Sequence, residues 1–419
     1  MRWWVPSPFT MRPVLLLFYF LSSSSPTEDC LLRHDCHLHF NGRASSSSPV
    51  TDPEPKRVSA AWLKTRKGEW TTRKGGEVPA QLVTAWEQST EAWCANCTHK
   101  ERSLDKYYRY EHGTQDLDIA KFPIVDRLKV LANQHVLFLG DSLMRQVFYS
   151  LFWIFPGSSK RPSKPRGLDK YAVCGVDTND IDFSIYVTRL DLTVHYCYNT
   201  YLGEHLNNTI DMLFLKKHFN YTIINSGLWY NRINMTEAED SRIRGIKRKA
   251  KEFKKWAPLS ESAYENDLKL LDIQIKKHSL KHGDDTSYMM WMESSPQHFR
   301  TGTFHQSDLH REGKQSCKQF DDEELEASLW RNKLSERYLS LPVIHTFLPL
   351  ASLYYSHPRN RAGIPDCTHF CNPGLAPLFL ATRVLTNIVT REIWELAGGD
   401  LYDDNNDNNN NTGRDVNSN

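Results

Sequence analysis

Residues 136–148 read VLFLGDSLMRQVF, and the predicted architecture can be built outward from them. Its first four residues, Val136 to Leu139, form a continuous apolar run, which is typical of a strand buried on both faces in a parallel sheet. Gly140 permits a sharp exit from that strand, and the apolar residues that follow recur at helical spacing. The stretch therefore predicts a strand, a tight turn, Ser142 and then a helix.

This arrangement would place Ser142 near a helix N-terminus. Backbone N–H groups and the helix dipole favour developing negative charge there, as a nucleophilic serine requires. A plainer interpretation is that Gly-Asp-Ser is only a turn followed by an N-cap, because aspartate and serine are both common at that position. The flanking strand and helix favour the catalytic interpretation, which also needs a base.

The composition is that of a large folded chain without a strong overall charge. Its 419 residues could hold more than one domain, and a single α/β domain of roughly 250 to 300 residues with tails fits equally well. A formal net charge of +2 argues against a dedicated nucleic-acid-binding protein. Twelve tryptophans could supply the flat apolar surfaces found in sugar-binding clefts, although a large core uses them too.

The N-terminus has the pattern of a secretory signal. Arg2 and Arg12 precede an apolar run at 14–21 and small residues at 22–25. The run is shorter than the roughly 20 apolar residues of a spanning helix, so a cleaved signal is favoured over a retained anchor. Nine cysteines then predict several disulfides with one thiol left over. We expect the lumen of the secretory pathway or the outside of the cell.

Changes in composition divide the chain into four segments. Residues 1–25 are the signal peptide or signal anchor, and the serine-rich, proline-rich and basic residues 26–84 suggest a flexible stem. Residues 85–398 are expected to hold the folded domain. The asparagine- and aspartate-rich residues 399–419 indicate a disordered tail.

Cysteine and asparagine positions add expectations for a secreted chain. The disulfide candidates are Cys94, Cys97, Cys174, Cys197, Cys317, Cys367 and Cys371. The N-glycosylation candidates are Asn96, Asn207, Asn220 and Asn234. Cys174 and Cys197 flank two predicted strands and could tie them together. No metal site is predicted, because the histidines around Cys36 lack the paired knuckles of a structural zinc site.

Apolar periodicity indicates the other elements. It predicts two strands within 183–198, buried strands at 221–224 and 288–292, an amphipathic helix at 265–278 and a long apolar helix towards the end of the domain. Asn225, at the end of one buried strand, could present its side-chain N–H to an oxyanion, or could belong to a simple Asn-Ser-Gly turn.

Asp366 and His369 supply what Ser142 lacks. Residues three apart on one helical turn can approach each other on the same side. Asp366 would accept from the imidazole Nδ1–H, leaving Nε2 to take the serine proton. The segment DCTHFC, residues 366–371, could instead be a disulfide-rich loop with a solvated histidine, or a metal site.

Together these motifs resemble the PC-esterase family, which includes the trichome-birefringence-like polysaccharide O-acetyltransferases within the SGNH/GDSL hydrolase fold. The resemblance rests on the ordered combination of GDS at 140–142, NSGLW at 225–229, SPQHF at 295–299 and DxxH at 366–369. It spans about residues 90–395. It implies a disulfide-stabilised three-layer α/β/α sandwich with a mostly parallel central sheet.

The resemblance also implies roles for individual residues. The catalytic triad would be Ser142, His369 and Asp366. The oxyanion or substrate-binding candidates are Asn225, Gly175, Asp141 and Arg145, with the Ser142 backbone N–H as a further oxyanion donor. Phe370 departs from the tryptophan typical of the plant members, and the residues after Cys371 lack their usual polar continuation, so their acceptor specificity is not transferred.

The leading functional expectation is a Golgi or other secretory-pathway O-acetyltransferase that acetylates a glycan hydroxyl through an acetyl-Ser142 intermediate. It would bind no cofactor and use an acetyl donor as co-substrate, with acetyl-CoA one candidate. The expected partner is a glycan or polysaccharide, without nucleic acid, and with membrane contact only through an N-terminal anchor. A carbohydrate O-acetyl esterase with the same triad and a catalytically inactive glycan-binding module are the alternatives. The oligomeric state is left open.

Overall fold

The computed structural model describes most of the expected folded domain. The described residues are 69–72, 97, 108–111, 117–118, 127–155, 159–162, 183–202, 214–234, 236–240, 258–299, 317–359, 363, 365–372 and 374–396. They belong to one compact unit, residues 42–419.

The described strands and helices are numbered in chain order. The strands are β1 (Glu69–Thr72), β2 (Tyr108–Glu111), β3 (Leu117–Asp118), β4 (His135–Gly140), β5 (Ser159–Pro162), β6 (Phe183–Val187), β7 (Leu192–Tyr198), β8 (Tyr221–Ile224), β9 (Tyr230–Asn231), β10 (Leu259–Ser260), β11 (Tyr288–Met292) and β12 (Val343–Ile344). The α-helices are α1 (Ser142–Ile154), α2 (Glu261–His282), α3 (Asp322–Ser328), α4 (Trp330–Tyr338), α5 (Phe347–Ala351) and α6 (Leu375–Leu396). Short 3-10 helices lie at Arg127–Leu131 and Gly283–Asp285.

A seven-stranded, mostly parallel sheet forms the centre of the fold. Its strand order is β12-β11-β8-β4-β7-β6-β5. The first five of these pair in parallel, whereas β6 and β5 join antiparallel. The chain leaves β4 towards β7 on one side and later returns to β8 on the other, so the switch point of the topology lies beside β4. In open α/β sheets, ligands bind at the carboxyl ends of the strands at such a point.

Helices cover both faces of this sheet and complete three layers. Val136 and Phe138 of β4 join a core cluster on one face that includes residues of α1 and α6. Leu137 and Leu139 point to the opposite face and join a cluster with residues of α2 and Trp330 of α4. Side chains of a strand alternate between faces, so a continuous apolar run serves both layers. The expected α/β sandwich with a mostly parallel sheet is confirmed.

Most predicted elements are observed, with shifted boundaries. The strands at 183–198, 221–224 and 288–292 correspond to β6 with β7, β8 and β11, and the long apolar helix corresponds to α6. The helix predicted at 265–278 extends further and becomes α2. It begins earlier because Ser260 caps it, its side chain accepting from the Ala263 N–H.

A second, smaller sheet involves the segment expected to be a stem. Strand β1 pairs antiparallel with β2, which pairs with β3. Because β1 lies within residues 26–84, an ordered strand falls inside the predicted stem. Composition does not reveal such a strand, since its hydrogen-bond partners lie about 40 residues further along the chain. The four-segment division of the chain stays a prediction.

Two disulfides are described, and both reach the segment that holds Asp366 and His369. Cys97 is bonded to Cys371, and Cys317 to Cys367. Cys197 is also disulfide-bonded. Cys94 and Cys174 lie outside the described residues, so the suggested pairing of Cys174 with Cys197 stays a prediction.

Two of the four glycosylation candidates can be placed. Asn234 is exposed, whereas Asn220 is half-buried and its Oδ1 accepts the His135 N–H at 2.8 Å. Asn96 and Asn207 lie outside the described residues, and glycosylation stays a prediction. Among the helices that the structure describes, none combines the length and apolar character needed to cross a membrane.

The Cys317–Cys367 bond closes 50 residues of chain and should contribute substantially to stability. We predict that the double variant Cys317→Ser/Cys367→Ser lowers the free energy of unfolding by about 2–5 kcal/mol, measured by urea denaturation. The exposed Ser352→Ala should change it by less than about 0.5 kcal/mol. A double variant as stable as the wild type would contradict this role.

Candidate active site

Ser142 lies at the turn between β4 and α1. β4 ends at Gly140, and Asp141 caps α1 by accepting the Leu143 N–H at 2.9 Å. A Cβ at Gly140 would come within 2.8 Å of the Asn225 carbonyl oxygen, so only glycine fits this close approach. Ser142 is therefore the first residue of α1, where backbone N–H groups lack intrahelical acceptors. This local geometry agrees with both interpretations of the motif, as a capped turn and as the site of a nucleophile.

A chain of hydrogen bonds joins Ser142, His369 and Asp366. The distance from Ser142 Oγ to His369 Nε2 is 2.7 Å, and that from His369 Nδ1 to Asp366 Oδ2 is also 2.7 Å. The carboxylate can only accept, so Nδ1 carries the proton and Nε2 of the neutral ring accepts the serine O–H. The structure thus brings the three predicted triad residues together in the order that proton transfer requires.

The segment from Asp366 to His369 is not a helical turn, which corrects the expectation from the sequence. It forms bends, and Asp366 Oδ1 accepts the N–H groups of Thr368 at 3.1 Å and His369 at 3.3 Å. Aspartate side chains readily make such local bonds in turns, and here they replace the helix as the means of bringing residues three apart together.

The Asp366 carboxyl is held in its ionised form. Burial would raise its pKa, but the charge and hydrogen bond of His369 and the two backbone N–H groups outweigh burial and lower the pKa well below its ordinary value. An ionised Asp366 fixes the His369 tautomer and stabilises the imidazolium that forms during proton transfer.

Gln146 is a site residue that was not predicted from the sequence. Its Nε2 donates to the Phe370 carbonyl at 2.6 Å, and its Oε1 accepts the Phe370 N–H at 3.1 Å. Gln146 lies one helical turn after Ser142 on α1, so one helix carries the serine and also holds the residue after His369. The sequence does contain a pattern that could have indicated Gln146: Ser142, Gln146 and Ser150 form a polar series along an otherwise apolar helix face.

Asp141 is buried beside Ser142 in a different electrostatic state from Asp366. Burial raises its pKa to about 6, although the Leu143 N–H and the His369 charge lower it in part. Its Oδ2 has no hydrogen bond of good geometry, although the nearby Leu228 N–H also lowers the pKa. One carboxylate oxygen is therefore poorly satisfied next to the nucleophile.

Asn225 lies next to the turn, but its amide is already engaged. Its Nδ2 donates to the carbonyls of Met292 at 3.0 Å and Glu293 at 3.1 Å, so both amide protons are used. Its backbone N–H donates to the Leu139 carbonyl. Asn225 therefore holds β8 and β11 together at their carboxyl ends, and a role as oxyanion donor would require its side chain to rotate. That role stays a prediction.

The other two candidates are placed as follows. Arg145 is half-buried on α1. Burial raises the pKa of the buried Tyr196 and of the half-buried Tyr198, and the charge of Arg145 lowers the pKa of both phenols in part. The Tyr196 hydroxyl donates towards the Asp141 carbonyl at 3.0 Å and so supports the turn. Gly175 lies outside the described residues, and its oxyanion role stays a prediction.

A serine, an imidazole and an ionised carboxylate in one hydrogen-bonded chain, at the carboxyl edge of a mostly parallel sheet, define the class of serine-dependent acyl-transfer proteins. Comparison with known families agrees with this class. The chain belongs to the PC-esterase family, described as a GDSL/SGNH-like acyl-esterase family found in Pmr5 and Cas1p, whose model matches residues 119–340. The match contains Ser142 and Asn225 but ends before Asp366 and His369.

A comparison with solved structures finds similarity to an esterase. The similar structure is that of a mutant of Axe2, an acetyl-xylooligosaccharide esterase from Geobacillus Stearmophilus. It shares 9% sequence identity with this chain, with a TM-score of 0.26. The comparison covers 65% of this chain and 98% of that one. No protein with a curated description matches the chain significantly.

The buried Asp141 gives the protein a specific dependence on pH. A carboxyl whose pKa is raised on folding stabilises the fold fully below its ordinary pKa of 3.8, and this stability is lost as the pH rises through about 6. Asparagine caps a helix as well as aspartate does. We predict that Asp141→Asn stabilises the protein above pH 6, by up to about 3 kcal/mol, and has little effect near pH 4.

Urea denaturation at about pH 4 and about pH 7.5 would measure this difference. The matched control is Asp284→Asn, an exposed aspartate, which should change stability equally little at both values. An Asp141→Asn effect of the same size at both pH values would contradict the assigned ionisation.

Proposed function

We propose that the protein is an O-acetyltransferase that transfers an acetyl group to a glycan hydroxyl through an acetyl-Ser142 intermediate. The observation that carries the proposal is the continuous hydrogen-bonded chain from Ser142 Oγ through His369 to Asp366. Membership of an acyl-esterase family supports acyl chemistry at this serine.

In the first half-reaction, His369 Nε2 takes the proton of Ser142 as Oγ attacks the acetyl carbonyl of the donor. The carbonyl oxygen becomes an oxyanion at the N-terminus of α1, where the helix dipole and the first backbone N–H groups favour negative charge. The tetrahedral intermediate collapses, the donor leaves with the proton from His369, and acetyl-Ser142 remains. Asp366 stabilises the transient imidazolium throughout.

In the second half-reaction, the acceptor hydroxyl gives its proton to His369 Nε2 and attacks acetyl-Ser142. Collapse of this second intermediate returns the proton to Ser142 Oγ and releases the acetylated sugar. The two half-reactions use the same groups in reverse roles, so one imidazole suffices. An acetyl thioester such as acetyl-CoA is the donor class we propose.

Two observations support a glycan acceptor and a secretory location. The half-buried Trp229 follows β8 at the carboxyl edge of the sheet, where an indole face can pack against a sugar ring. The Cys97–Cys371 and Cys317–Cys367 bonds are typical of proteins folded in an oxidising compartment. They agree with the N-terminal signal pattern, and we propose the Golgi or another part of the secretory pathway.

Hydrolysis is the second candidate, favoured by the description of the family as acyl-esterases. It would use the same acetyl-Ser142, with water in place of the sugar hydroxyl as the second nucleophile. The two activities differ only in which hydroxyl reaches the intermediate.

A serine-directed fluorophosphonate tests whether the site is active. We predict that it labels the wild-type protein at Ser142, that Ser142→Ala abolishes labelling, and that His369→Ala slows it at least about a thousandfold because the base is lost. The control is Ser150→Ala on the same helix, whose hydroxyl bonds the Gln146 carbonyl and which should label normally. A folded wild-type protein without labelling would favour the glycan-binding module instead.

Acceptor dependence separates transfer from hydrolysis. We predict that purified protein with a labelled acetyl thioester forms acetylated sugar when oligosaccharide is present, because the acceptor competes with water for acetyl-Ser142. Mass spectrometry of the sugar and measurement of free acetate give both rates. Acetate release at one rate with and without acceptor, and no acetylated sugar, would identify an esterase.

A further inference from the structure

Two buried histidines form a chain of hydrogen bonds behind the segment that carries His369. His298 follows β11 and is fully buried, and His357 follows α5 and is 3% exposed. The distance from His298 Nδ1 to His357 Nε2 is 2.7 Å. At the outer ends, His298 Nε2 lies 2.9 Å from the Ala351 carbonyl oxygen, and His357 Nδ1 lies 2.6 Å from that of His369.

The two carbonyl oxygens determine where the protons are. A carbonyl only accepts, so His298 Nε2 and His357 Nδ1 must both carry hydrogen. If both rings were neutral, the two remaining nitrogens would face each other at 2.7 Å with only lone pairs between them. The contact is a hydrogen bond only if one further proton lies there. The observed arrangement thus needs three protons on four nitrogens, which is one positive charge shared by two rings.

The surroundings of the pair contain both opposing and compensating groups. Burial lowers the pKa of His357 to about 4 and that of His298 well below its ordinary value. The bond to the His369 carbonyl and the Asp366 carboxylate raise the pKa of His357, whereas the charge of His369 lowers it. The bond to the Ala351 carbonyl raises the pKa of His298, whereas the charge of His357 lowers it. Near His298, the backbone N–H of Lys318 donates to the His298 carbonyl, and its ammonium is paired with Glu324 of α3.

Backbone groups and aromatic rings also contact the pair. The Asp366 backbone raises the pKa of His357 through a hydrogen bond, and the His298 N–H donates to the Cys367 carbonyl. Phe320 stacks on His298 with ring centroids 5.0 Å apart, and Phe370 stacks on His357 at 4.8 Å. The proton is therefore held in an apolar enclosure in which Asp366 supplies the compensating negative charge. A buried charge in such surroundings is released readily when the pH rises.

We propose that His298 and His357 are positioning residues that share one proton and, while they share it, hold the backbone of His369 in place for Ser142. When the proton leaves, the two facing lone pairs repel, and one ring must turn away. The bond from His357 Nδ1 to the His369 carbonyl is then lost or weakened. Reactivity of Ser142 should fall as the pair deprotonates, on the alkaline side of the pH profile.

The shared proton can be tested without any enzymatic activity. The full chain with 15N-labelled histidine is titrated from about pH 3.5, which lies below the lowered pKa of His357, to about pH 9, and the ring nitrogens of the pair are assigned by their loss in His298→Asn and His357→Gln. We expect three protons on the four nitrogens at the acidic end and two above a single midpoint. Two protons throughout the range in which the protein stays folded would overturn the proposal.

The effect on Ser142 is tested by the rate of fluorophosphonate labelling, and this part rests on the proposed function. In the wild type the rate should fall about tenfold as the pH rises through the same midpoint, as expected for one lost hydrogen bond. In His298→Asn the amide takes the place of Nδ1 and donates to neutral His357, so no extra proton is needed. The alkaline fall should then be absent.

Two further variants separate positioning from a structural role. His357→Gln keeps a donor to His298 but loses the bond to the His369 carbonyl, so labelling should be about tenfold slower at every pH. The control is His195→Asn, which alters a second histidine contact, between β7 and β4, and should leave the alkaline fall unchanged. If His298→Asn folds but keeps the wild-type alkaline fall, the pair is only structural.

The outcomes also distinguish this proposal from the proposed function. A shared proton in the titration with no labelling at any pH would contradict the function and leave the proton pair established. If Ser142 is labelled, but the titration finds only two protons on the four ring nitrogens, the proposed function is supported and the shared proton is contradicted. If His357→Gln does not fold, the wild-type titration and His298→Asn decide the matter.

Discussion

The hydrogen bond between Ser142 Oγ and His369 Nε2 joins residues that are 227 positions apart in the chain. One partner is fixed by regular structure, because Ser142 begins α1 immediately after the central strand β4. The other lies in a segment without helix or strand, which loses much conformational entropy when it is ordered. The bond therefore depends on how firmly the fold holds the segment that carries His369.

That segment is held by covalent and polar contacts on several sides. Disulfides anchor Cys367 and Cys371 at either end of it. Between them, Gln146 of α1 binds the backbone of Phe370, and His357 binds the carbonyl of His369. An imidazole placed by backbone contacts needs no regular secondary structure of its own. This explains how so short a motif can supply a base with defined geometry.

Two neighbouring carboxyl groups show how local contacts set charge at this site. Asp366 is ionised because an imidazole and two N–H groups bond its oxygens, which outweighs the effect of burial on its pKa. Asp141 is more deeply buried and has one poorly satisfied oxygen, so its pKa rises to about 6. The aspartate with the better-satisfied carboxylate is thus the one able to orient the base, and the other serves as the cap of α1.

Some elements could be predicted from the sequence, because their residues carry their own pattern: the buried strands β4, β8 and β11, the helices α2 and α6, and Ser142 and Asp366 with His369 as candidates. These follow from periodicity and short motifs, which depend on local sterics and on which face is buried. Four other features became visible only in the folded structure: Asp366 and His369 form a bend, Gln146 bonds the backbone of Phe370, the Asn225 amide bonds two carbonyls, and β1 of the expected stem pairs with β2. The bend rests on bonds from the Asp366 side chain to N–H groups two and three residues later, which replace a helical turn. The other three features depend on partners between about 40 and 224 residues away, and no local pattern records a hydrogen bond that exists only once the chain is folded.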